Sequence, residues 1–220
     1  MTAAVIVAAG SGTRMGFDKL LAPLAGQPVL RHTLNAFQLC PDIDAIWIVS
    51  SPASQSTFLA LAADFPKFRG LVPGGPERHL SVWYGLSALP PDTDCVAVHD
   101  GARPLIRPAQ ISRCIAAARL HGAAASARRI TDTLKRADPD GRVTASVDRD
   151  HLWAMETPQV FRFPLLHAAY QKVLQNGTLV TDEVSAATLS DIPVWLVENL
   201  SPNLKITLPG DLESAAALLP

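Results

Sequence analysis

Short runs of apolar and β-branched residues alternate along this chain with segments whose apolar positions recur at helical spacing. Residues 4–8 (AVIVA), 45–50 (AIWIVS), 69–72 and 95–99 (CVAVH) predict strands, and the alanine-rich residues 123–127 predict a further one. Between them, residues 28–39, 55–63, 79–89 and 108–121 predict helices. Pro28 and Pro108 suit first helical positions, and Gly122 suits a helix end. Further on, helices are predicted over 163–176, 182–189 and 211–219, and strands over 194–197 and 205–207. The alternation predicts an α/β fold with a mostly parallel sheet flanked by helices on both faces.

Residues 131–147 break this rhythm. Two polar, alternating segments flank Asp138-Pro139-Asp140-Gly141, a strong hairpin signal. An isolated hairpin is marginal in water and needs a partner. Two arrangements satisfy it: an arm packed on another subunit, or an edge hairpin on the same sheet.

Composition narrows the class. With 220 residues, 48% apolar and 18% charged, the chain suits one α/β domain with a sizeable core. The net charge of −1 provides no global field toward nucleic acid or a membrane, so any anion site must be a local cluster of cations. No apolar run is long enough to span a bilayer, and the opening segment reads as a first strand rather than a signal peptide. Cys40, Cys95 and Cys114 are scattered without a CxxC, which suggests buried thiols in a reducing cytoplasm.

Ligands of open parallel sheets bind beyond the carboxyl ends of strands. Three loops there combine Gly with Arg: Ala8-Ala9-Gly10-Ser11-Gly12-Thr13-Arg14-Met15-Gly16, then Gly74-Gly75-Pro76-Glu77-Arg78, then Asp100-Gly101-Ala102-Arg103-Pro104. Gly admits close approach of backbone N–H groups to phosphate, and Arg offers a planar fork of donors. Met15 stands where both a dinucleotide fingerprint and a P-loop require Gly, which disfavours an NAD-dependent oxidoreductase. With Lys19, the first loop offers a cradle and two cations; the alternative is a surface turn with solvated Arg14 and Lys19. Asp100 could hold Mg²⁺ directly or through water, brace an Arg, or cap a turn. No nucleophile elbow or zinc-protease motif occurs.

The ordered texts AAGSGTRM…K, GGPERHLSV, VHDGARP, DTLKR, VDRDHLWAMETPQ, TDEVSA and NLKITLPGDL resemble the 2-C-methyl-D-erythritol 4-phosphate cytidylyltransferases across essentially the whole chain. The resemblance implies a Rossmann-like nucleotidyltransferase fold over residues 1–220, with a protruding β-hairpin arm at about 129–150 that interlocks a homodimer. It implies CTP binding by Ala8, Ala9, Gly10, Ser11, Gly12, Thr13, Gly75, Arg78, Ser81, Asp100 and Gly101. Arg14, Lys19, Arg149 and Lys205 become the catalytic cations. Arg103, Thr133, Thr157 and Thr181, with Arg149 and Lys205, face the polyol phosphate, and Mg²⁺ or another divalent cation rides on the triphosphate. The family usually carries Pro-Lys-Gln after the first loop at a longer spacing, whereas this chain reads Phe17-Asp18-Lys19-Leu20-Leu21.

The chemistry suits the residues. A phosphate monoester with a second pKa of about 6 is mostly dianionic at neutral pH, so attack on CTP requires no general base. The obstacle is repulsion between anions, which cations relieve. Rival readings are a ribitol-5-phosphate cytidylyltransferase, a purine-using nucleotidyltransferase of the molybdopterin-dinucleotide type, and a regulatory nucleotide-binding module without turnover.

Overall fold

The computed structural model describes residues 1–10 and 18–219. In chain order its elements are β1 (Thr2–Ala8), β2 (Pro23–Leu24), β3 (Gln27–Pro28), α1 (Val29–Leu39), β4 (Ala45–Ser50), α2 (Gln55–Ala62), β5 (Phe68–Pro73), α3 (Arg78–Ser87), β6 (Cys95–Asp100), α4 (Pro108–His121), β7 (Ala123–Arg129), β8 (Leu134–Ala137), β9 (Val143–Val147), β10 (Trp153–Arg162), α5 (Phe163–Gln175), α6 (Glu183–Thr188), β11 (Trp195–Glu198) and α7 (Gly210–Leu218).

Seven strands form the central sheet in the order β11-β7-β10-β6-β1-β4-β5. All neighbouring pairs are parallel except those of β10, which runs antiparallel to both β6 and β7. Alternation along β1 explains how the sheet is covered. Ala4, Ile6 and Ala8 point into a core built with Leu30, Leu34 and Phe37 of α1 and Ile111 and Ile115 of α4. Ala3 and Val5 point into the opposite core, built with Val82 and Leu86 of α3 and Leu166 and Tyr170 of α5. A strand buried on both faces is mostly apolar, and β1, β4 and β6 are, with polar residues only at their ends: Thr2, Ser50, and His99 and Asp100. Among the described residues no helix is long and apolar enough to cross a membrane.

Several expectations need correction. Pro28 belongs to the small β2–β3 ladder and precedes α1 rather than opening it. Residues 205–207 form no strand: Ile206 N–H donates to the Ala102 carbonyl at 2.8 Å, so the segment crosses the loop after β6 instead of extending the sheet. Strand β10 was not predicted at all. Asp100 is the last residue of β6, not a loop residue.

The hairpin is present as β8 paired antiparallel with β9, and it forms a two-stranded sheet of its own, separate from the central one. Asp138 closes its turn by accepting from the Arg142 backbone N–H at 2.9 Å, and Gly141 supplies a φ of +85°. Both strands are largely exposed, which removes the edge-hairpin alternative.

Candidate active site

The carboxyl ends of β1 and β6 and the loop after β5 enclose a cleft of about 470 Å³. Ala8, Ala9, Gly10, Lys19, Gly75, Arg78, Ser81, Asp100 and Lys205, all singled out from the sequence, line it. Close packing explains the glycines of the second loop. A Cβ on Gly74 would come within 2.2 Å of the Ala9 side chain, and one on Gly75 within 2.7 Å of Leu80 Cβ. Ser81 Oγ accepts the Gly75 N–H at 3.0 Å and fixes that loop to the start of α3.

Asp100 lies on the cleft floor, nearly buried, amid three cations. Lys205 Nζ is 2.8 Å from Oδ2, Arg78 donates to Oδ1 at 3.2 Å, and Arg103 Nε stands 3.6 Å from Oδ2. Burial alone would raise the Asp100 pKa, but Arg78, Lys205 and Arg103 outweigh it and hold the carboxyl well below the usual carboxylate range. Arg78 is in turn gripped by Glu183 through a fork of 2.7 and 3.3 Å, and the fully buried Glu183 also accepts from Tyr170 Oη at 3.2 Å. Burial lowers the Arg78 pKa, and Glu183 and Asp100 more than reverse this, so Arg78 remains charged.

A second, smaller cleft of about 220 Å³ shares Arg78, Asp100 and Lys205 with the first, and adds Arg103, Thr157 and Thr181. The three shared residues therefore stand where two ligands would meet. Thr157 is buried, and its hydroxyl is engaged within the protein. It accepts the Asp100 N–H at 3.1 Å and bonds His99 Nδ1 at 3.0 Å. His99 Nε2 faces the Arg103 carbonyl at 3.2 Å, so Nε2 carries the proton and Nδ1 accepts from Thr157. Burial pushes the His99 pKa down to about 3, which keeps the ring neutral.

Lys19 also faces the larger cleft, with Nζ donating to the Ile206 carbonyl at 2.8 Å, next in sequence to Lys205. Asp18 seats it, accepting from Leu20 N–H and from Ser54 Oγ at 3.0 Å each. Gly101 is less directly placed: its N–H donates to Val7 O at 2.9 Å and its carbonyl accepts from Thr33 at 2.9 Å, so both backbone groups have protein partners. Thr133 and Arg149 lie at the exposed base of the arm, where Arg149 donates to the Thr131 carbonyl, and neither lines the two clefts. Ser11, Gly12, Thr13 and Arg14 lie outside the described residues.

The donor set bears on a divalent cation. Among the described residues no three His, Cys, Asp or Glu side chains converge as a metal cage. Asp100 and Glu77 are the carboxylates that line the larger cleft among the described residues, and Asp100 is the buried one. That set suits a cation carried mainly by phosphate oxygens, since Mg²⁺ is commonly held by one or two carboxylates plus substrate phosphates.

Sequence reading did not single out Glu183 or Glu156. The signal for Glu183 was a carboxylate in the first turn of a predicted helix, close behind Thr181 in the TDE text. Glu156 carried no signal beyond its place before Thr157.

A family model described as 2-C-methyl-D-erythritol 4-phosphate cytidylyltransferase matches residues 2–220. A protein of that name from Desulforamulus reducens is 42% identical, over 98% of this chain and 94% of its own. The one from Prochlorococcus marinus is 41% identical, over 98% and 96%. The crystal structure of 4-diphosphocytidyl-2C-methyl-D-erythritol synthase from Anaerococcus prevotii superposes with a TM-score of 0.88 at 32% identity, covering 99% of this chain and 95% of that one. The Francisella tularensis 2-C-methyl-D-erythritol 4-phosphate cytidylyltransferase gives a TM-score of 0.85 at 29% identity, with 99% of both chains covered.

Proposed function

From the premise that this chain belongs to the 2-C-methyl-D-erythritol 4-phosphate cytidylyltransferase family, we infer how its residues divide the reaction. The enzyme transfers CMP from CTP to 2-C-methyl-D-erythritol 4-phosphate and releases pyrophosphate. The observation that carries the assignment of roles is the sharing of Arg78, Asp100 and Lys205 by two adjoining clefts. The larger takes CTP, and the smaller takes the polyol phosphate.

A monoester oxygen attacks the α-phosphorus, and the bond to the β-phosphate oxygen breaks as pyrophosphate leaves. The attacking phosphate is already mostly dianionic at neutral pH, so the protein's task is charge and alignment. Lys19 and Arg14 stabilise the triphosphate. Lys205 and Arg103 hold the incoming phosphate, with Thr181 beside them. Asp100 fixes Arg78, Arg103 and Lys205 relative to one another. Thr157 contributes from beneath by orienting His99 and the Asp100 backbone. Asp100 would be the protein carboxylate for a divalent cation such as Mg²⁺ brought in with the nucleotide, which would supply further charge neutralisation.

Residues 1–220 act as one catalytic unit in the cytoplasm, in keeping with three buried free thiols. Pyrophosphate release measured with methylerythritol phosphate and each of the four nucleoside triphosphates tests the nucleotide assignment. CTP should be used at least about 10²-fold better than the others, because a site built to pair buried polar groups rejects a base that leaves them unpaired. Equal turnover with ATP or GTP would contradict it.

The arm gives the quaternary proposal. Thr133 and Arg149 line neither cleft of their own chain, and the arm exposes both its strands. In the homodimer we place them against the partner's acceptor cleft. Lys205→Met and Arg149→Ala, each strongly impaired alone, should complement after subunit exchange. One heterodimer site carries both lesions and the other neither, which restores about a quarter of wild-type activity for random pairing in a symmetric dimer. Verified exchange without recovery would place Arg149 outside the partner's site.

A further inference from the structure

The segment that carries Lys205 belongs to no strand or helix between β11 and α7, yet it must hold an ammonium 2.8 Å from Asp100. Buried side chains beneath it explain how. Glu156, in β10, is nearly buried, and its Oε2 accepts three hydrogen bonds: from Asn199 Nδ2 at 2.9 Å, Asn203 Nδ2 at 3.0 Å and Ser126 Oγ at 3.1 Å. Two of these donors belong to the Lys205-bearing segment, and the third belongs to β7, next to β10 in the sheet. Asn203 Nδ2 also donates to the Thr157 carbonyl at 2.8 Å, and the Asn203 carbonyl accepts from Arg103 at 2.8 Å.

We propose that Glu156 is the positioning residue of the acceptor-phosphate clamp: through Asn199 and Asn203 it ties the Lys205 segment to the sheet and so sets both Lys205 and Arg103. This rests on the reading that those two cations hold the polyol phosphate. A carboxylate suits the post because one oxygen can accept several N–H and O–H donors while donating none. Its negative charge also adds to that of Asp100 beneath a patch holding Arg78, Arg103 and Lys205. The CTP cleft includes neither Glu156 nor Arg103, whereas the acceptor cleft includes both, so the effect of Glu156 falls mainly on the acceptor.

Steady-state kinetics of Glu156→Ala should show KM for the polyol phosphate raised about tenfold or more, since small misplacement of a positioning group costs up to about 10²-fold. KM for CTP should rise less, to within about threefold of wild type, because of the two tied cations only Lys205 lines that cleft. Glu156→Gln keeps an acceptor oxygen for the asparagine amides and should recover to within about threefold of wild type. If Glu156→Ala fails to fold, Asn203→Ala removes one of the two segment-side donors together with the Thr157 link and should give the same acceptor-weighted signature.

Lys205→Met separates the two ideas. If it leaves KM for the polyol phosphate unchanged, the clamp reading itself fails. If it raises that KM while Asn203→Ala and Glu156→Ala do not, only the role of Glu156 fails. In the Lys205→Met background, Glu156→Ala should keep only the part of its effect that runs through Arg103, and full additivity would overturn the proposal.

Discussion

Replacing Lys205 by Met should lower kcat/KM by about 10³-fold, or about 4 kcal/mol of transition-state stabilisation. The expectation comes from its place. Lys205 lines both clefts and pairs with Asp100, so it stands at the junction of the clefts proposed for nucleotide and acceptor. The reaction joins an anion of about four charges to one of about two, and cations at the junction offset that repulsion more as the phosphates converge. Met keeps most of the apolar stem while removing the charge, so the loss reports electrostatics rather than packing. Activity within threefold of wild type would show that the ammonium does not act at the junction.

Glu183→Ala should cost about 3–5 kcal/mol of stability, the range for breaking a buried ion pair by removing one partner. Glu183 is fully buried and holds both outer nitrogens of Arg78, along with the Tyr170 hydroxyl. Its removal leaves Arg78 with Asp100 as its ion partner and strands the Tyr170 hydroxyl in the core. At about 2–4 °C per kcal/mol for a chain of this size, thermal unfolding should fall by roughly 10 °C. Glu183→Gln, which retains acceptor and shape but not charge, should lose less. An unchanged melting temperature for Glu183→Ala would mean that Arg78 is held by Asp100 alone.

The parts of the fold that the sequence disclosed are those where local pattern and tertiary environment agree. The interiors of β1, β4 and β6 are apolar because helices cover both faces, and the hairpin is marked by its own turn residues. Strand β10 was hidden for the opposite reason. Its middle reads Glu156-Thr157-Pro158-Gln159, which looks like a polar break. These side chains are buried because each finds a partner: Glu156 the two asparagines and Ser126, Thr157 the His99 ring, Gln159 the Asp182 carboxylate. A register shift between Met155 and Gln159 against β7 further breaks the alternation.

The site follows the same division. Residues on Gly-rich loops announced themselves, and Ala8, Gly75, Arg78 and Asp100 do converge, together with Lys205, which only the family resemblance pointed to. The polar residues that hold them in place, Glu156 and Glu183, are spaced like ordinary strand and helix residues, and only the three-dimensional packing reveals their partners. Thr133 and Arg149 form a separate case: they line neither cleft of their own chain, and the role proposed for them requires a second copy of the chain.

The most direct measurement of the central claim is identification of the product made from CTP when methylerythritol 4-phosphate and ribitol 5-phosphate are supplied together at equal concentration. Mass spectrometry should find the cytidine diphosphate ester of methylerythritol, formed mole for mole with pyrophosphate, with the ribitol ester at trace level. A predominant ribitol ester, or no cytidine diphosphate product of either polyol, would contradict the account.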